Sequence, residues 1–540
     1  MMKSFSARFG RRGPVALALA LSLPGLAACQ DKSSSQNKSG AQTAVANPCG
    51  ALAPTQTSAL PKDPGNSQIG VDCSAWQAFI ALNWKSDPAN PGYPDPKAQW
   101  ASFGAPSDVS PTVWESYAEA SAVFSGVLQG QWKAKRPAVK PLQRTSKFHT
   151  IDLSGIIQAG GPTQWLTSQR GELTYYEVLM NRDEYEFITT QKLTTAAGQL
   201  ACVTQPGKPL SDGPPPPPDA PKRGGLNFPV GMQPGWSDTD CVGNKASFGD
   251  GVGAMEIKAA WTPLPQDGSL DYRYKTAIAE IQDPTTRAKR QVKVGLVGIH
   301  ITRKRFPKLP WVWATFEHID NSPDEAADGS GGFSPPALPT NPNQVKLAGY
   351  TFFNTKCDPN ADKVYRCRHN VAPTAACLLG SDPNKCQPYK APMQITRINR
   401  VDNIANSVTA YAWSLMPPKS VFNYYRLINV QWPQAAMASP TPGPGLPVPL
   451  TMGNPAPSGA GTDPSKPNIY QIVANTTMET FVQRGQGAAS CMDCHVYASI
   501  ASPPSTAQSA TGSRKVPGRA APAKTYASDY SFIFSAETTK

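Results

Sequence analysis

The chain of 540 residues allows several domains or one large domain with insertions, and its 40% hydrophobic and 9% aromatic residues exclude global disorder. Its 56 prolines and 43 glycines argue against a helical bundle and favour short elements joined by loops. The net charge of +13 is modest for this length, and no run of Lys and Arg alternates with aromatic residues. The composition therefore argues against a nucleic-acid partner.

The N-terminal segment has the organisation of an export signal. Basic residues precede a short apolar stretch over residues 15–28, which is too short to span a bilayer as a mature helix. The stretch ends in Leu-Ala-Ala-Cys29, which resembles a bacterial lipobox, whereas an ordinary signal peptide with a chance cysteine is the alternative. We predict a signal peptide over residues 1–28, lipidation of Cys29 and a flexible tether over residues 29–70.

The lipobox resemblance also implies a location. Such lipoproteins usually go to the outer membrane unless aspartate follows the cysteine, and here Gln30 follows it. The sequence therefore predicts an exported, lipid-anchored protein on the outer membrane, facing the periplasm or the cell surface. Residues 1–28 carry four basic and no acidic residues, so cleavage lowers the net charge from +13 to +9. A mild attraction to acidic proteins or phospholipid headgroups follows from that charge.

Helical patterns precede strand patterns along the chain. Apolar residues recur at helical spacing over residues 74–84, 112–127 and 173–188. From about residue 252 strand patterns take over. Strands are predicted within residues 255–261, 272–281, 291–302, 310–319, 350–355, 393–401, 407–415 and 422–432. We predict an α+β, β-rich fold, with a large antiparallel sandwich or open barrel and helices at one end.

Segments rich in proline and glycine divide the mature chain. Residues 206–225 contain five consecutive prolines and predict an exposed insertion, and residues 435–466 predict a linker. The resulting organisation is a β-rich main domain over residues 71–434, the linker, and a C-terminal segment over residues 467–540.

The C-terminal segment contains the one motif that carries chemistry. Residues 491–495 read Cys-Met-Asp-Cys-His, a C-x-x-C-H. Cys491 and Cys494 lie one helical turn apart, so both thiols can reach the vinyl groups of a haem while His495 binds its iron. A thioredoxin-like pair would need a surrounding βαβ unit and a zinc site would need two more ligands, and neither is found. The motif predicts one haem c, preceded by a capped amphipathic helix over residues 475–486.

This motif resembles that of c-type cytochromes, and the chain more broadly resembles a group of bacterial cytochrome c-type lipoproteins with a single C-terminal C-x-x-C-H. The wider likeness is carried by residues 76–84, 255–261, 294–301, 311–321 and the segment before the motif. It spans most of the mature chain but implies no particular activity. The chain departs from small electron-carrier cytochromes c, because residues 496–540 contain neither Met nor His as a sixth iron ligand.

A second axial ligand would therefore come from upstream. His300 and His318 lie on strands predicted to be buried. We favour His318, because Glu317 and Asp320 could orient its ring, and His300 is the alternative. A hairpin connection over residues 303–309 would separate the two histidines by roughly 23 Å, too far for both to contact one haem. A core histidine bonded to a backbone carbonyl is the competing interpretation for each.

Eight further cysteines remain after lipid and haem are assigned. An even remainder in an exported chain predicts disulfides. These residues are Cys49, Cys73, Cys202, Cys241, Cys357, Cys367, Cys377 and Cys386. Proximity favours Cys49–Cys73 and Cys202–Cys241, with two more bonds among the last four.

These features favour an electron-transfer lipoprotein that exchanges electrons with a redox partner protein. An electron carrier alone does not need so long a β-rich region. Two alternatives therefore stay open: a haem-dependent oxidoreductase of peroxidase or oxidase type with a substrate pocket in that region, and a ligand-binding lipoprotein with an accessory haem.

Overall fold

A computed structural model of the chain describes most of residues 45–432 and parts of the C-terminal region. The described ranges are 45–62, 67–128, 132, 138–142, 165–204, 226–233, 236–283, 288–305, 311–326, 332–341, 343, 345–357, 367–372, 390–432, 473–483, 491, 495, 498, 500–501 and 528–536. Several predictions lie outside these residues. They are the signal peptide, Cys29, the insertion over 206–225, Cys377, Cys386, the linker over 435–466 and Cys494.

Twelve strands are found in the described ranges. They are β1 (Ser86–Asp87), β2 (Asn90–Pro94), β3 (Ala118–Glu119), β4 (Lys140–Leu142), β5 (Tyr175–Met180), β6 (Met255–Pro263), β7 (Thr276–Gln282), β8 (Lys289–Arg303), β9 (Val312–His318), β10 (Asp324–Glu325), β11 (Phe333–Ser334) and β12 (Tyr425–Gln431). Eight of them form one curled sheet with the path β12-β9-β8-β6-β5-β3, while β7 pairs with β8 and β4 with β7. All neighbours are antiparallel except β4 and β7.

Few helices accompany the sheet. The α-helices are α1 (Gln68–Leu82), α2 (Ala120–Phe124), α3 (Arg182–Thr190), α4 (Ala196–Thr204) and α5 (Asn403–Leu415), with short 3-10 turns at Gly50–Leu52, Trp100–Ser102, Trp114–Ser116, Val421–Tyr424 and Ile533–Ala536. Side-chain caps mark the starts of helices: Ser67 for α1, Glu119 for α2, Asn181 for α3 and Asp402 for α5 each accept a backbone N–H of the first turn. Such caps satisfy amides that have no partner inside the helix.

The two faces of the sheet differ in chemistry. On one, which we call the helix face, Phe316 packs against Trp76 and Phe79 of α1, with ring centroids 5.0 and 4.5 Å apart. The opposite face, which we call the polar face, carries His300 opposite Thr315. Its members on the three central strands include Glu256, Lys258, Ala260, Gly298, His300, Thr302, Trp313, Thr315 and Glu317. These residues alternate with the apolar ones because successive side chains of a strand point to opposite faces.

The predicted β-rich class is confirmed in its coarser form. The chain is a mixed α/β protein whose sheet curls into a half-barrel. The remaining strands in the described ranges form the two-stranded pairs β1–β2 and β10–β11 instead of a second large sheet. Helix 74–84 and the strands at 255–261, 291–302, 310–319 and 422–432 are confirmed as parts of α1, β6, β8, β9 and β12, and the strand at 272–281 in part as β7.

Other element predictions were wrong. The predicted strand over residues 407–415 is the helix α5, whose buried residues Val408, Thr409, Ala412 and Trp413 follow helical spacing. The predicted helix over 173–188 is β5 followed by α3, because the first half pairs with β6. Residues 350–355 and 393–401 are not strands. Of the helix predicted over 112–127, only the short α2 and a 3-10 turn form.

Three disulfides join described cysteines. Cys49–Cys73 and Cys202–Cys241 confirm the predicted pairs, with Cα atoms 5.8 and 5.0 Å apart. Cys357–Cys367 joins two of the last four cysteines. In the described ranges, no helix has both the length and the apolar character that a membrane span requires.

Candidate functional site

His495 packs against the polar face beside β9. Its ring centroid lies 5.8 Å from that of Trp313 and 5.0 Å from that of Phe532. Its Nδ1 lies 2.5 Å from the carbonyl oxygen of Tyr530. Because a carbonyl oxygen only accepts, Nδ1 carries the proton, and in a neutral ring the lone pair is then on Nε2. In histidines that bind a metal through one ring nitrogen, a hydrogen bond from the other ring nitrogen orients the ring in this way.

The turn that supplies this carbonyl is fixed by buried bonds. Asp529 and Tyr530 both have positive φ, at 54° and 67°. The Asp529 carboxylate accepts hydrogen bonds from Lys304 Nζ at 2.6 Å and from the Phe228 amide at 2.8 Å. Trp311 Nε1 donates to the Asp529 carbonyl at 2.7 Å. A left-handed conformation persists at non-glycine residues only where the surroundings over-determine it, so these bonds set where the Tyr530 carbonyl points.

The ion pair beneath the turn is almost wholly buried, with side-chain exposures of 0% for Lys304 and 4% for Asp529. Burial lowers the pKa of Lys304 and raises the pKa of Asp529, and the opposite charge of each partner works against the shift of the other. The pair therefore supports the turn only while both partners are present.

Trp313 offers a buried donor next to His495. Its side chain is only 4% exposed, and its Nε1 has no acceptor among the described residues. A buried donor left without an acceptor costs on the order of 1–3 kcal/mol. An acceptor belonging to a bound group would remove this cost, and haem carries two propionate carboxylates. The donor is therefore compatible with a haem at His495.

Of the two cysteines of the motif, only Cys491 lies among the described residues. It is half-buried and packs against the main apolar core. An apolar setting suits the edge of a haem, so Cys491, His495 and Trp313 together fit the predicted cofactor. Covalent attachment itself stays a prediction.

The helix predicted over residues 475–486, before the motif, is not found in the described part of that segment. Residues 476–481 form successive turns, and the part of residues 475–486 beyond 483 lies outside the described residues. The Asn475 side chain donates to Thr315 Oγ1 at 2.9 Å and to the Phe316 carbonyl at 3.0 Å, and the Thr476 amide donates to Glu317. These bonds to the sheet replace the bonds of a first helical turn. The predicted helical haem-attachment segment is thus unsupported.

A glycine lets this segment approach the sheet closely. A Cβ atom at Gly298 would clash with Thr477 Oγ1, so no other residue fits there without movement. Tyr176 on β5 adds a hydrogen bond from its hydroxyl to the Thr477 carbonyl at 2.7 Å. The segment over residues 473–483 therefore covers the polar face beside His300.

His300 shares the polar face with His495. It lies opposite Thr315, and Trp313 is two residues further along the same face of β9, at about 7 Å. Its Nε2 lies 3.3 Å from Glu479 Oε1, and the side chain is 12% exposed. The structure thus brings the alternative axial ligand to the face on which His495 packs.

His318 lies on the helix face and is not brought to His495. Its Nε2 donates to the Arg273 carbonyl at 3.2 Å, and its Nδ1 accepts from the Asp320 amide at 3.1 Å. Its ring stacks on Tyr274 at 3.8 Å. Burial, followed by the charge of Arg273, holds its pKa well below the usual range. Iron binding by His318 would require at least one of these two ring bonds to be given up.

The side chains of Asp320 and Glu317, which were expected to orient the ring of His318, bind other residues instead. The carboxylate of Asp320 binds Arg273 with two hydrogen bonds of 2.7 Å, and Glu317 pairs with Arg397. The predicted separation of the two histidines was also too long. Because Gly298 pairs with Glu317, His318 stands only three residues from the partner of His300, or about 10 Å, but on the opposite face.

The sequence reasoning missed the residues that support His495. Lys304, Asp529 and Trp313 come from three distant segments, and only the fold brings them together. The available signals were weak: a lysine that continues a buried strand, and an acidic residue before the apolar end of the chain. In the described ranges, no three His, Cys, Asp or Glu side chains converge as ligands of a metal ion.

Comparisons of the chain with protein-family models, with curated proteins and with solved structures gave no match. The likeness to cytochrome c-type lipoproteins therefore depends on the motif and segments quoted above. Function has to be argued from the site alone.

Proposed function

We propose that the protein is a lipid-anchored c-type cytochrome that holds one covalent haem and exchanges electrons with a redox partner protein at the outer membrane. The observation that carries the proposal is His495 of the C-x-x-C-H motif, whose Nδ1 is bonded to the Tyr530 carbonyl in a turn fixed by buried bonds. The export signal and Cys29 supply the anchor and the compartment in which such haems are attached.

Each residue of the site has a role in this proposal. The thiols of Cys491 and Cys494 form the two thioether bonds, and His495 presents Nε2 as the proximal ligand. Trp313, whose indole N–H has no acceptor among the described residues, would donate it to a propionate of the bound haem. The bound haem supplies a one-electron Fe(III)/Fe(II) couple. His300, on the same face, is the candidate for the second axial ligand.

A haem-dependent oxidoreductase is the second candidate, and one observation favours it. His300 and Glu479 form a half-buried pair, with 3.3 Å between Nε2 and Oε1. An imidazole backed by a carboxylate can move a proton to or from a bound peroxide if the iron keeps an open position. The two candidates thus assign different roles to the same histidine.

The first test asks whether haem is attached. Full-length protein, produced with a cytochrome c maturation system, should give the pyridine haemochrome band of two thioether bonds. Cys494→Ala should lose that band. A wild-type protein that carries no covalent haem under these conditions would sink the proposal.

The second test separates the two candidates. Optical and EPR spectra that are low-spin and unchanged by carbon monoxide support electron transfer, and His300→Ala should then become high-spin. A wild-type protein that binds carbon monoxide and turns over peroxide instead supports the oxidoreductase. Loss of that turnover in Glu479→Gln would assign the acid–base role to the pair.

A further inference from the structure

Two arginines lie at the end of β8, where the sequence reads Arg303-Lys304-Arg305. The middle residue of the three is already paired, because Lys304 Nζ binds the Asp529 carboxylate. Successive side chains of an extended chain point to opposite faces, so Arg303 and Arg305 lie on the side away from that pair. Arg303 pairs across the sheet with Val312, at the end of the helix face. That end of the sheet therefore carries two guanidinium groups.

The two guanidinium groups contact the same short segment. Arg303 Nη2 donates to the Pro61 carbonyl at 3.2 Å, and Arg305 Nη2 donates to the carbonyl of the next residue, Lys62. Arg305 Nη1 also donates to the Val252 carbonyl at 3.3 Å. Because the carbonyls of Pro61 and Lys62 are consecutive along the chain, the two cations are neighbours. They lie against the end of the predicted tether, just before α1.

Arg303 is a buried cation without an anion. Its residue is only 5% exposed, and its Nε has no acceptor among the described residues. In the same part of the chain, no carboxylate forms an ion pair with it, and its printed partner is an uncharged carbonyl. Burial lowers the pKa of Arg303 to about 9, and the positive charge of Arg305 adds to the shift. A buried charge that lacks an opposite charge is strongly unfavourable, so the site favours an added anion.

We propose that Arg303 and Arg305 bind a phosphate group at this end of the helix face. Its oxygens would accept the Nε–H of Arg303 and an N–H of Arg305 in charge-assisted hydrogen bonds. A phosphate carries up to two negative charges, which balance two guanidinium groups, whereas a carboxylate carries one. Arg305 is half-buried, so the group enters from its side. No covalent bond forms or breaks.

Two sources share this chemistry: free inorganic phosphate and the phosphorylated headgroup of a lipid. The position beside Pro61 and Lys62 makes the headgroup relevant, since the predicted tether leads from this segment to the lipid on Cys29. In either case the bound anion would fix the base of the tether to the sheet. This inference goes beyond the proposed function and does not depend on haem.

Thermal denaturation of the full chain, with phosphate replacing chloride at constant ionic strength, tests the site. The melting temperature of the wild type should rise with phosphate and saturate, because the anion binds only the folded chain. Arg303→Met should melt higher than the wild type in chloride, since a buried unpaired cation is removed, and should lose the response to phosphate. A role confined to the hydrogen bond with Pro61 would instead lower the melting temperature equally in both salts.

Two further variants keep the test decisive. Arg305→Met should weaken the response to phosphate, and it serves if Arg303→Met does not fold. Arg290→Met is the matched control, because Arg290 is exposed and paired with Glu172, and it should keep the wild-type response. A wild type without a saturable response, or an Arg303→Met variant that keeps it, would overturn the inference. Since haem-free protein can be used, that result leaves the proposed function in place.

The source of the phosphate is separated by comparing two probes on the Cys29→Ala chain, which carries no lipid of its own. The probes are inorganic phosphate and dihexanoyl phosphatidic acid below its micelle concentration. Half-saturation at a lower concentration of the lipid assigns the site to a headgroup, and half-saturation at a lower concentration of inorganic phosphate assigns it to the free anion. Both results support a phosphate site, whereas a response to neither probe contradicts it.

Discussion

The helix face and the polar face of the central sheet are both buried, but they are held by different forces. On the helix face, Phe316 fits between Trp76 and Phe79, and apolar contact suffices. On the polar face, Glu256 and Glu317 are 2% and 1% exposed and need bonded partners. The first face stabilises the fold, whereas the second selects which segments dock on it.

The polar face determines which chain segments dock on it, because its hydrogen bonds are directional. Glu317 accepts the Thr476 amide, and Glu256 accepts the Ser531 hydroxyl. Apolar packing tolerates small shifts of the chain, but a hydrogen bond to a particular amide does not. Two C-terminal segments are thereby fixed on either side of His300. A site that must hold His495 in one orientation gains from this arrangement, which a second apolar face would not provide.

The largest expected effect comes from breaking the helix face. Phe316→Ala should lower the free energy of unfolding by about 3–5 kcal/mol, because it removes ring contacts and leaves a cavity under α1. Chemical denaturation followed by circular dichroism measures this change. Val127→Ala is the matched control, since Val127 is 68% exposed and should change stability by less than about 0.5 kcal/mol. Equal stability of the two variants would contradict the division between faces.

Loss of the buried ion pair between Lys304 and Asp529 should lower stability mainly in the C-terminal turn that packs beside the polar face. Lys304→Met leaves the Asp529 carboxyl buried without its cation and should cost about 3 kcal/mol. Hydrogen exchange should rise first in residues 528–536. Lys289→Met is the control, because the Lys289–Glu280 pair is exposed and contributes less than about 1 kcal/mol.

The same variant should depend on pH in a defined direction. Burial already raises the pKa of Asp529, and loss of Lys304 raises it further. A carboxyl whose pKa is higher in the folded state holds its proton after the unfolded chain has released it at about pH 3.9. Stability therefore falls as pH rises from that value through the folded-state pKa. A variant whose cost is no larger at pH 8 than at pH 5 would show that Lys304 does not act through Asp529.

The sequence predicts the helix face better than the polar face. Strands β6, β8 and β9 were predicted because each forms a long run rich in apolar and β-branched residues. The pairing register was predicted wrongly, because the predicted hairpin over residues 303–309 does not give the observed pairing of His300 with Thr315. His300 and His318 lie on opposite faces in either register, but only the fold shows which face packs against His495, so the choice between them needed the structure.

Helix ends and docking segments were missed for a related reason. The pattern at residues 407–415 alternates like a strand, and only the cap at Asp402, outside that window, marks the helix. Residues 475–483 have a helical pattern, but Asn475 finds its partners on the sheet. In both cases a residue that takes part in the deciding bond lies outside the window from which the pattern is read. The C-x-x-C-H motif, by contrast, is local, so the candidate ligand His495 could be found without the fold.

The smallest expected effect is also the sharpest test of the polar face, because its sign should depend on haem. Trp313→Phe keeps the ring beside His495 and removes the N–H that has no acceptor among the described residues. In haem-free protein the change should be neutral or stabilising by up to about 1 kcal/mol, since an unsatisfied buried donor is lost. In holoprotein it should destabilise by about 1–2 kcal/mol, because a hydrogen bond to a propionate carboxylate is lost.

Thermal denaturation of both forms, with Trp311→Phe as the comparison, measures the sign. Trp311 already donates to the Asp529 carbonyl, so its replacement should destabilise both forms alike. If Trp313→Phe has the same sign with and without haem, the indole does not face the cofactor. The polar face would then position His495 without contacting the haem edge itself.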